Sequence, residues 1–311
     1  MAKEYEVLNC YNKIISWKRD DFVFDTILLG LSGVVNKEEI QGFVEAMKKN
    51  QDVHIEQITD ATQLSQYDGN HTILITDMTD FFVKSYALKI PGVVYLHRQN
   101  RKMAFSNMTY AITSLEELPL EYLQRVYQRF FHIPWEILRT ERCLVREITV
   151  EDVDELYEIY KDKDVVKYME SLFENKEEER EYTRKYIENM YGFYGFGMWI
   201  VQRLDNGRII GRAGLNVREE YDDLELGYII RKDEQRKGYA KEVCGAILQY
   251  AVEELEVQDI NAFIHPDNLD SINLINKLKF QKRERVKLED RYLDRYVWNR
   301  NAIGEIAHGF S

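Results

Sequence analysis

ELGYIIRKDEQRKGYA, residues Glu225–Ala240, is the stretch on which the reading of this chain turns. A strand ends near Arg231, a polar loop follows, and a helix is expected to open near Lys237. That helix carries Val243, Ile247, Leu248, Ala251 and Leu255 on its apolar face. Small residues at Gly238 and Ala240 let backbone N–H groups turn toward a ligand. The unpaired donors and positive dipole end of a helix N-terminus add to them, and the arrangement suits a pyrophosphate. Arg236 and Lys237 would add charge. The spacing Gln235-x-x-Gly238-x-Ala240 is common by itself, and an ordinary strand–turn–helix connection explains it equally well. The surrounding sequence decides between the two.

Upstream, Cys143–Ile148 reads as a strand, followed by helices over Glu151–Lys161 and about Glu177–Met190. Three strands joined by tight turns come next: Gly197–Arg203, Arg208–Val217 and Leu224–Arg231. Asp205-Asn206-Gly207 supplies the residues that tolerate positive φ in a hairpin. Downstream lie a helix over Lys237–Leu255, a strand over Asp259–Ile264, a helix over Leu269–Leu278 and a hairpin of about Phe280–Val286 and Tyr292–Trp298. The plan is α+β, with a mixed, mostly antiparallel sheet. Its second helical motif reads Asn268-x-x-Ser271-x-x-Leu274-Ile275-x-Lys277-Leu278-x-Phe280.

These ordered motifs resemble the GNAT superfamily of N-acetyltransferases, in particular the branch that acetylates ribosomal-protein N-termini. Phe196–Ile200, Gly211–Leu215 and Leu293–Val297 fit that family's remaining strands. The resemblance implies acetyl-CoA as cosubstrate and no metal. Arg236, Lys237, Gly238, Tyr239 and Ala240 would hold the pyrophosphate through backbone amides, with Asn268 and Ser271 approaching the cofactor. The backbone of Ile229, Ile230 and Arg231 would pair with the pantetheine arm as an added strand. Direct attack of an amine on a thioester needs a base and an acid for the leaving thiolate. Glu225 is the candidate base, where the family often has a carboxylate; a solvated or salt-bridged strand residue is the competing reading. Ile275 stands where many members carry a thiolate-protonating tyrosine, which leaves Tyr228, Tyr194 or water for that role. Lys279 stands at a usual glycine and is tolerable if φ stays negative. Tyr191–Trp199 is expected as a packed turn at Phe196 and Trp199, with Tyr191 and Tyr194 open to walling an acceptor cleft. The run Glu174–Glu181 reads as a solvated helix face and His265 as structural.

The first half alternates strand and helix, as a small parallel α/β sheet does. Strands are expected over Phe22–Leu29, Val53–Ile58, Thr72–Thr76 and Val93–Leu96. Helices run from an Asn36 cap to about Lys49, over Phe81–Lys89 and over Leu115–Phe131. Residues 24–35 resemble the first strand-loop of the haloacid-dehalogenase (HAD) superfamily, with Gly30 and Ser32 at its two Asp positions. Asp77 fits that family's late acidic motif, and Asp80 lies one residue off. The resemblance implies a HAD/Rossmann-like domain without a cap that has lost its nucleophile and its magnesium ligand. Scaffold, dimer contact or ligand binding would remain as its role.

A length of 311 residues allows two domains: 1–131, a packed linker at 132–141, and 142–311. Cys10, Cys143 and Cys244 lack metal-ligand spacing, so free thiols in a reducing cytoplasm are expected. No stretch approaches the roughly 18 apolar residues of a membrane helix, and no charged-then-apolar leader precedes Lys13. The net charge is −12, and residues 141–311 carry 36 acidic against 27 basic side chains. That balance disfavours a nucleic-acid surface and favours a cationic acceptor, either a small-molecule amine or a peptide N-terminus. The competing function is a catalytically weak or inactive acyl-CoA-binding regulatory protein.

Overall fold

The computed structural model describes residues 24–302 apart from 51, 52, 104, 106, 107, 117 and 289. Cys10 and the stretch before Lys13 lie outside the described residues. The chain divides into two compact units between Ile133 and Pro134.

The first unit runs β1 (Thr26–Gly30), α1 (Lys37–Asn50), β2 (His54–Gln57), β3 (Thr72–Thr76), α2 (Thr79–Ala87), β4 (Gly92–Tyr95), β5 (Ala111–Ile112) and α3 (Leu120–Phe130). Its strands form one parallel sheet in the order β2-β1-β3-β4-β5. Alternate residues face opposite ways. Ile27, Leu29, Ile73, Ile75 and Val93 pack on Phe43 and Met47 of α1 and on Leu123 and Val126 of α3. Leu28 and Leu74 pack on Phe81 of α2, and Val94 packs on Phe82. Helices on both faces explain why these strands read as unbroken apolar runs. Asn36 caps α1 as expected, its Oδ1 accepting the Glu38 N–H at 2.8 Å.

The second unit runs β6 (Glu136–Arg139), β7 (Cys143–Arg146), α4 (Val153–Tyr160), α5 (Lys163–Val166), α6 (Lys176–Tyr186), β8 (Met198–Arg203), β9 (Ile209–Arg218) and β10 (Tyr221–Ile230). It continues with α7 (Tyr239–Glu253), β11 (Asp259–Ile264), α8 (Leu269–Lys277), β12 (Gln281–Leu288) and β13 (Arg291–Asn299). Eight strands order as β12-β13-β11-β10-β9-β8-β7-β6. All neighbours are antiparallel except β10 and β11. Trp199 and Trp298 sit fully buried at its core, with Tyr250 of α7 edge-on to Trp199 at 5.5 Å. No described helix is long and apolar enough to cross a membrane.

Expectations change at three places in the chain. The segment 132–141 is not a connecting linker throughout, because Glu136–Arg139 is the edge strand β6. Trp135, Ile137 and Leu138 belong to the second core, whereas Phe131 and Ile133 pack on the first. The second change concerns the helix expected over Glu177–Met190, which is α only to Tyr186 and π from Ile187 to Tyr194. The widened turns seat the buried Tyr191, whose hydroxyl accepts from the Ile148 N–H at 3.2 Å and donates to the Met198 carbonyl at 2.5 Å. Glu179 also leaves the solvated face expected for it: it is buried and accepts the Phe173 N–H at 3.0 Å.

The third change is at Lys279, whose φ of 70° is left-handed and not negative. The Phe280 N–H reaches the Ile275 carbonyl at 3.0 Å, and the Lys279 N–H reaches Asn276 at 3.1 Å. This closure ends α8 and needs a left-handed residue at Lys279. A residue with a Cβ is strained there by about 1–2 kcal/mol. Lys279→Gly should therefore stabilise the unit by about 1 kcal/mol in urea unfolding followed by tryptophan fluorescence. Trp135, Trp199 and Trp298 all report on this unit.

Candidate active site

β10 and β11 pair through two positions only, Leu224↔Ile260 and Glu225↔Asn261, although both strands run on. On its other edge β10 pairs with β9 from Glu225 to Ile230, and the Arg231 N–H continues to the Ile210 carbonyl at 2.9 Å. Alternate residues of an antiparallel ladder bond the same neighbour. Gly227, Ile229 and Arg231 therefore turn their peptide groups to β9. Leu226, Tyr228 and Ile230 turn theirs into the opening. Of the three residues expected to pair with the arm, Ile229, Ile230 and Arg231, only Ile230 turns its peptide group to the gap, and its carbonyl accepts from Gln235 Nε2 at 2.8 Å.

The loop at the end of β10 adopts positive φ at Arg236 (61°) and Gly238 (90°). The backbone N–H groups of Arg236 to Ala240 donate to no described residue, and the first turn of α7 closes with the Glu242 N–H on the Gly238 carbonyl at 3.1 Å. No side chain caps the helix. Five adjacent donors at a helix start are an arrangement that suits an anion. A Cβ at Gly238 would be strained by its φ and would lie 3.3 Å from Arg142 Nη2.

The charged side chains here are largely committed elsewhere. Lys237 Nζ lies 2.9 Å from Glu234 Oε2, and Arg203 and Arg208 approach the same carboxylate at 3.0 and 3.2 Å. Glu234 is buried, and Lys237 and Arg203 hold its carboxyl below the ordinary value. Arg236 is exposed, 3.8 Å from Asp270. Of the two residues expected to add charge to the backbone amides, Lys237 is thus paired with a buried carboxylate and Arg236 stands exposed. Arg142, which sequence reasoning missed, donates to the Lys237 carbonyl at 3.0 Å, pairs with Glu242 at 2.6 Å and lies 4.3 Å over the Tyr239 ring. Asn268 caps α8 by accepting the Ser271 N–H at 3.2 Å.

Glu225 lies where the two strands part. Its carboxylate accepts from Arg218 Nε at 2.8 Å. Burial raises its pKa, Arg218 lowers it, and the balance is a value above the ordinary 4.5. Arg218 was not singled out from the sequence. The signal was its place seven residues earlier, across the β9–β10 turn, on a strand of known register. The Tyr228 hydroxyl donates to the Ser271 carbonyl at 3.3 Å, and burial pushes its pKa far up, so it stays protonated. Ile275 is fully buried. Tyr194 is exposed and stacks near Phe196 and Phe193, while Trp199 is core. His265 stacks on Tyr168 with centroids 4.8 Å apart, a structural contact. The buried thiols of Cys143 and Cys244 are unpaired, and burial pushes Cys143 up to about 11. Among the described residues no group of three or more His, Cys, Asp or Glu is placed to hold a metal.

In the first unit, Gly30 and Ser32 follow from the end of β1. A Cβ at Gly30 would meet the Phe81 ring at 2.5 Å. Ser32 donates through N–H and Oγ to the buried Asp77, at 2.8 and 2.5 Å, and His97 Nε2 lies 3.1 Å from the same carboxylate. The pieces expected to share a site do meet, but bonded to one another. Asp80 lies in the first turn of α2.

The acetyltransferase (GNAT) domain family matches residues 142–281. The N-acetyltransferase p20 of Bacillus licheniformis is 30% identical over 171 residues, spanning 53% of this chain and 95% of that protein. YoaA of Bacillus subtilis, also an N-acetyltransferase by name, is 28% identical over 153 residues, spanning 47% of this chain and 83% of that protein. A solved GNAT-family acetyltransferase from Bacillus anthracis aligns at a TM-score of 0.44 and 24% identity, over 51% of this chain and 95% of that one. The chain belongs to the GNAT acetyltransferases through its second unit, and it is an acetyltransferase. Enzymes of this family use acetyl-CoA in general.

Gly238→Glu should weaken CoA binding at least about tenfold, because bulk and negative charge enter the row of donors. Isothermal titration checks it, and retained affinity would remove the loop from the binding site. Glu225 can act as a base only when ionised. Acetyl transfer should therefore fall as pH drops through its raised pKa, with the acid limb of kcat/KM above 4.5. Arg218→Met removes the group that lowers this pKa and should move the limb to still higher pH. Glu225→Gln should cut kcat by about 100-fold or more with little change in CoA affinity. An unchanged kcat in Glu225→Gln would exclude Glu225 as the base.

Proposed function

We propose that the second unit transfers acetyl from acetyl-CoA to a primary amine, on a small molecule or a peptide N-terminus, by direct attack. The observation that carries this is the opening between β10 and β11, which leads to five unpartnered N–H groups at Arg236–Ala240. That combination fits a pyrophosphate at the loop and an extended amide-bearing arm along Leu226, Tyr228 and Ile230. Asn268 and Ser271 flank the arm from α8. The thioester supplies an activated acyl group. The amine nitrogen forms the new C–N bond as the C–S bond breaks, one proton leaves the nitrogen, and one reaches the sulfur. Glu225, with its raised pKa, takes the first proton directly or through water. Tyr228, held protonated beside the opening, is the donor for the second.

The first unit we read as a degenerate HAD-like domain without phosphoryl-transfer chemistry. Gly30 carries no nucleophile and abuts Phe81, and Ser32 is tied to Asp77. Incubation of the full chain with acetyl-CoA and a panel of polyamines, aminoglycosides, amino acids and peptides, followed by free-thiol detection, tests the activity. Acceptor-dependent thiol release is expected. Tight CoA binding with no release on any acceptor would instead mark a regulatory acyl-CoA-binding protein.

A further inference from the structure

Arg212, on β9, has no ion pair and no hydrogen bond among the described residues, and its Nε is buried without an acceptor. A buried guanidinium left in this state is costly, because each unsatisfied charged donor forfeits its water. The side chain is not sealed off, since the residue keeps part of its surface accessible. Burial lowers its pKa, the hydroxyls of Tyr160, Tyr191 and Tyr186 and the carboxylate of Glu179 raise it, and the balance lies above the ordinary value. None of them approaches to ion-pair or hydrogen-bond distance.

Strand register places this cation relative to the chemistry. Arg212 pairs with Ile229, and Asn216, four residues on, pairs with Glu225. Residues two apart share a face, so Arg212, Asn216 and Glu225 lie on one side of the sheet. Tyr160 of α4, Glu179 and Tyr186 of α6 and Tyr191 of the π-helix lie on that side too. Trp199, one register step away, packs instead on α7. Four residues of strand separate the two Cα positions by about 13 Å.

We infer that Arg212 receives a carboxylate of the acceptor, so that the amine acetylated belongs to a molecule bearing amine and carboxylate several bonds apart, as an ω-amino acid or a short peptide does. The planar guanidinium matches a carboxylate with two parallel hydrogen bonds. The described side chains that act most on its charge are three phenols and one carboxylate, with no second base among them. Glu179 and the three phenols would shape the pocket around that carboxylate without occupying the guanidinium.

This inference rests on the acetyl-transfer reading of the same site, and the test separates the two. Matched acceptors are compared by thiol release with acetyl-CoA: glycine, 4-aminobutyrate, 6-aminohexanoate and a dipeptide, each against the amine that lacks the carboxylate. The longer carboxylate-bearing acceptors should react with kcat/KM about 10- to 100-fold above their partners. Arg212→Gln should bring that ratio near one, and Arg212→Lys should restore part of it, with CoA affinity as the check on folding. Equal rates within each pair, or a ratio unchanged in Arg212→Gln, would overturn the inference and leave acetyl transfer standing. Thiol release from no acceptor at all would overturn the acetyl-transfer reading and this one with it. The wild-type comparison decides even if the variants do not fold.

Discussion

The second unit is organised by a pairing that stops. β10 and β11 lie side by side in a continuous eight-stranded sheet, yet share only two register positions. An edge exposed inside a sheet is a row of donors and acceptors that require partners. Each strand is therefore held from its far side: β10 by β9 along its length, and β11 by β13 over all six residues. Both strands are thus anchored outward on either side of the gap. The loop that follows β10 opens at its end, and Glu225 stands at the fork.

The free donors at the end of this gap belong to the main chain. The unit is acidic, and its basic side chains around the loop are mostly consumed by internal pairs: Lys237 with Glu234, Arg142 with Glu242, Arg231 with Asp233. Those pairs shape the loop. The buried Glu234 gathers three basic groups from β8, the β8–β9 turn and the loop itself, and so fixes where Gly238 lies. The donors left over are peptide N–H groups, whose dipoles do not depend on protonation. A polyanion can then be held on a protein of net charge −12 without a basic surface.

Much of this was legible in the residues. β3 and β11 fall where their apolar runs end, and the strand–loop–helix at 225–240 is as read. What the residues did not show has identifiable causes. Which peptide groups face the gap depends on the partner register, which turns those of Ile229 and Arg231 toward β9. Lys279 and Arg236 adopt left-handed φ because tertiary closure of α8 and of the loop outweighs their local preference. Glu179 and Arg212 look like surface residues by type, and only their neighbours reveal them as interior. The π-turn at Ile187–Tyr194 has no periodic signature distinct from a helix. In the first unit, strand order was legible only as alternation. The mutual bonding of Ser32, Asp77 and His97 required the sheet to bring three strand ends together.

The edge strand β6 has a consequence for where this domain can be said to begin. The family match starts at Arg142, but the hydrogen-bonded sheet starts at Glu136. A chain shortened to the match would lose Trp135, Ile137 and Leu138 from the core and leave β7 as a bare edge. Bare edges recruit other strands, so such a fragment would tend toward self-association. The six residues before the family motif thus belong to the folded sheet, and the folded domain begins ahead of the motif that identifies it.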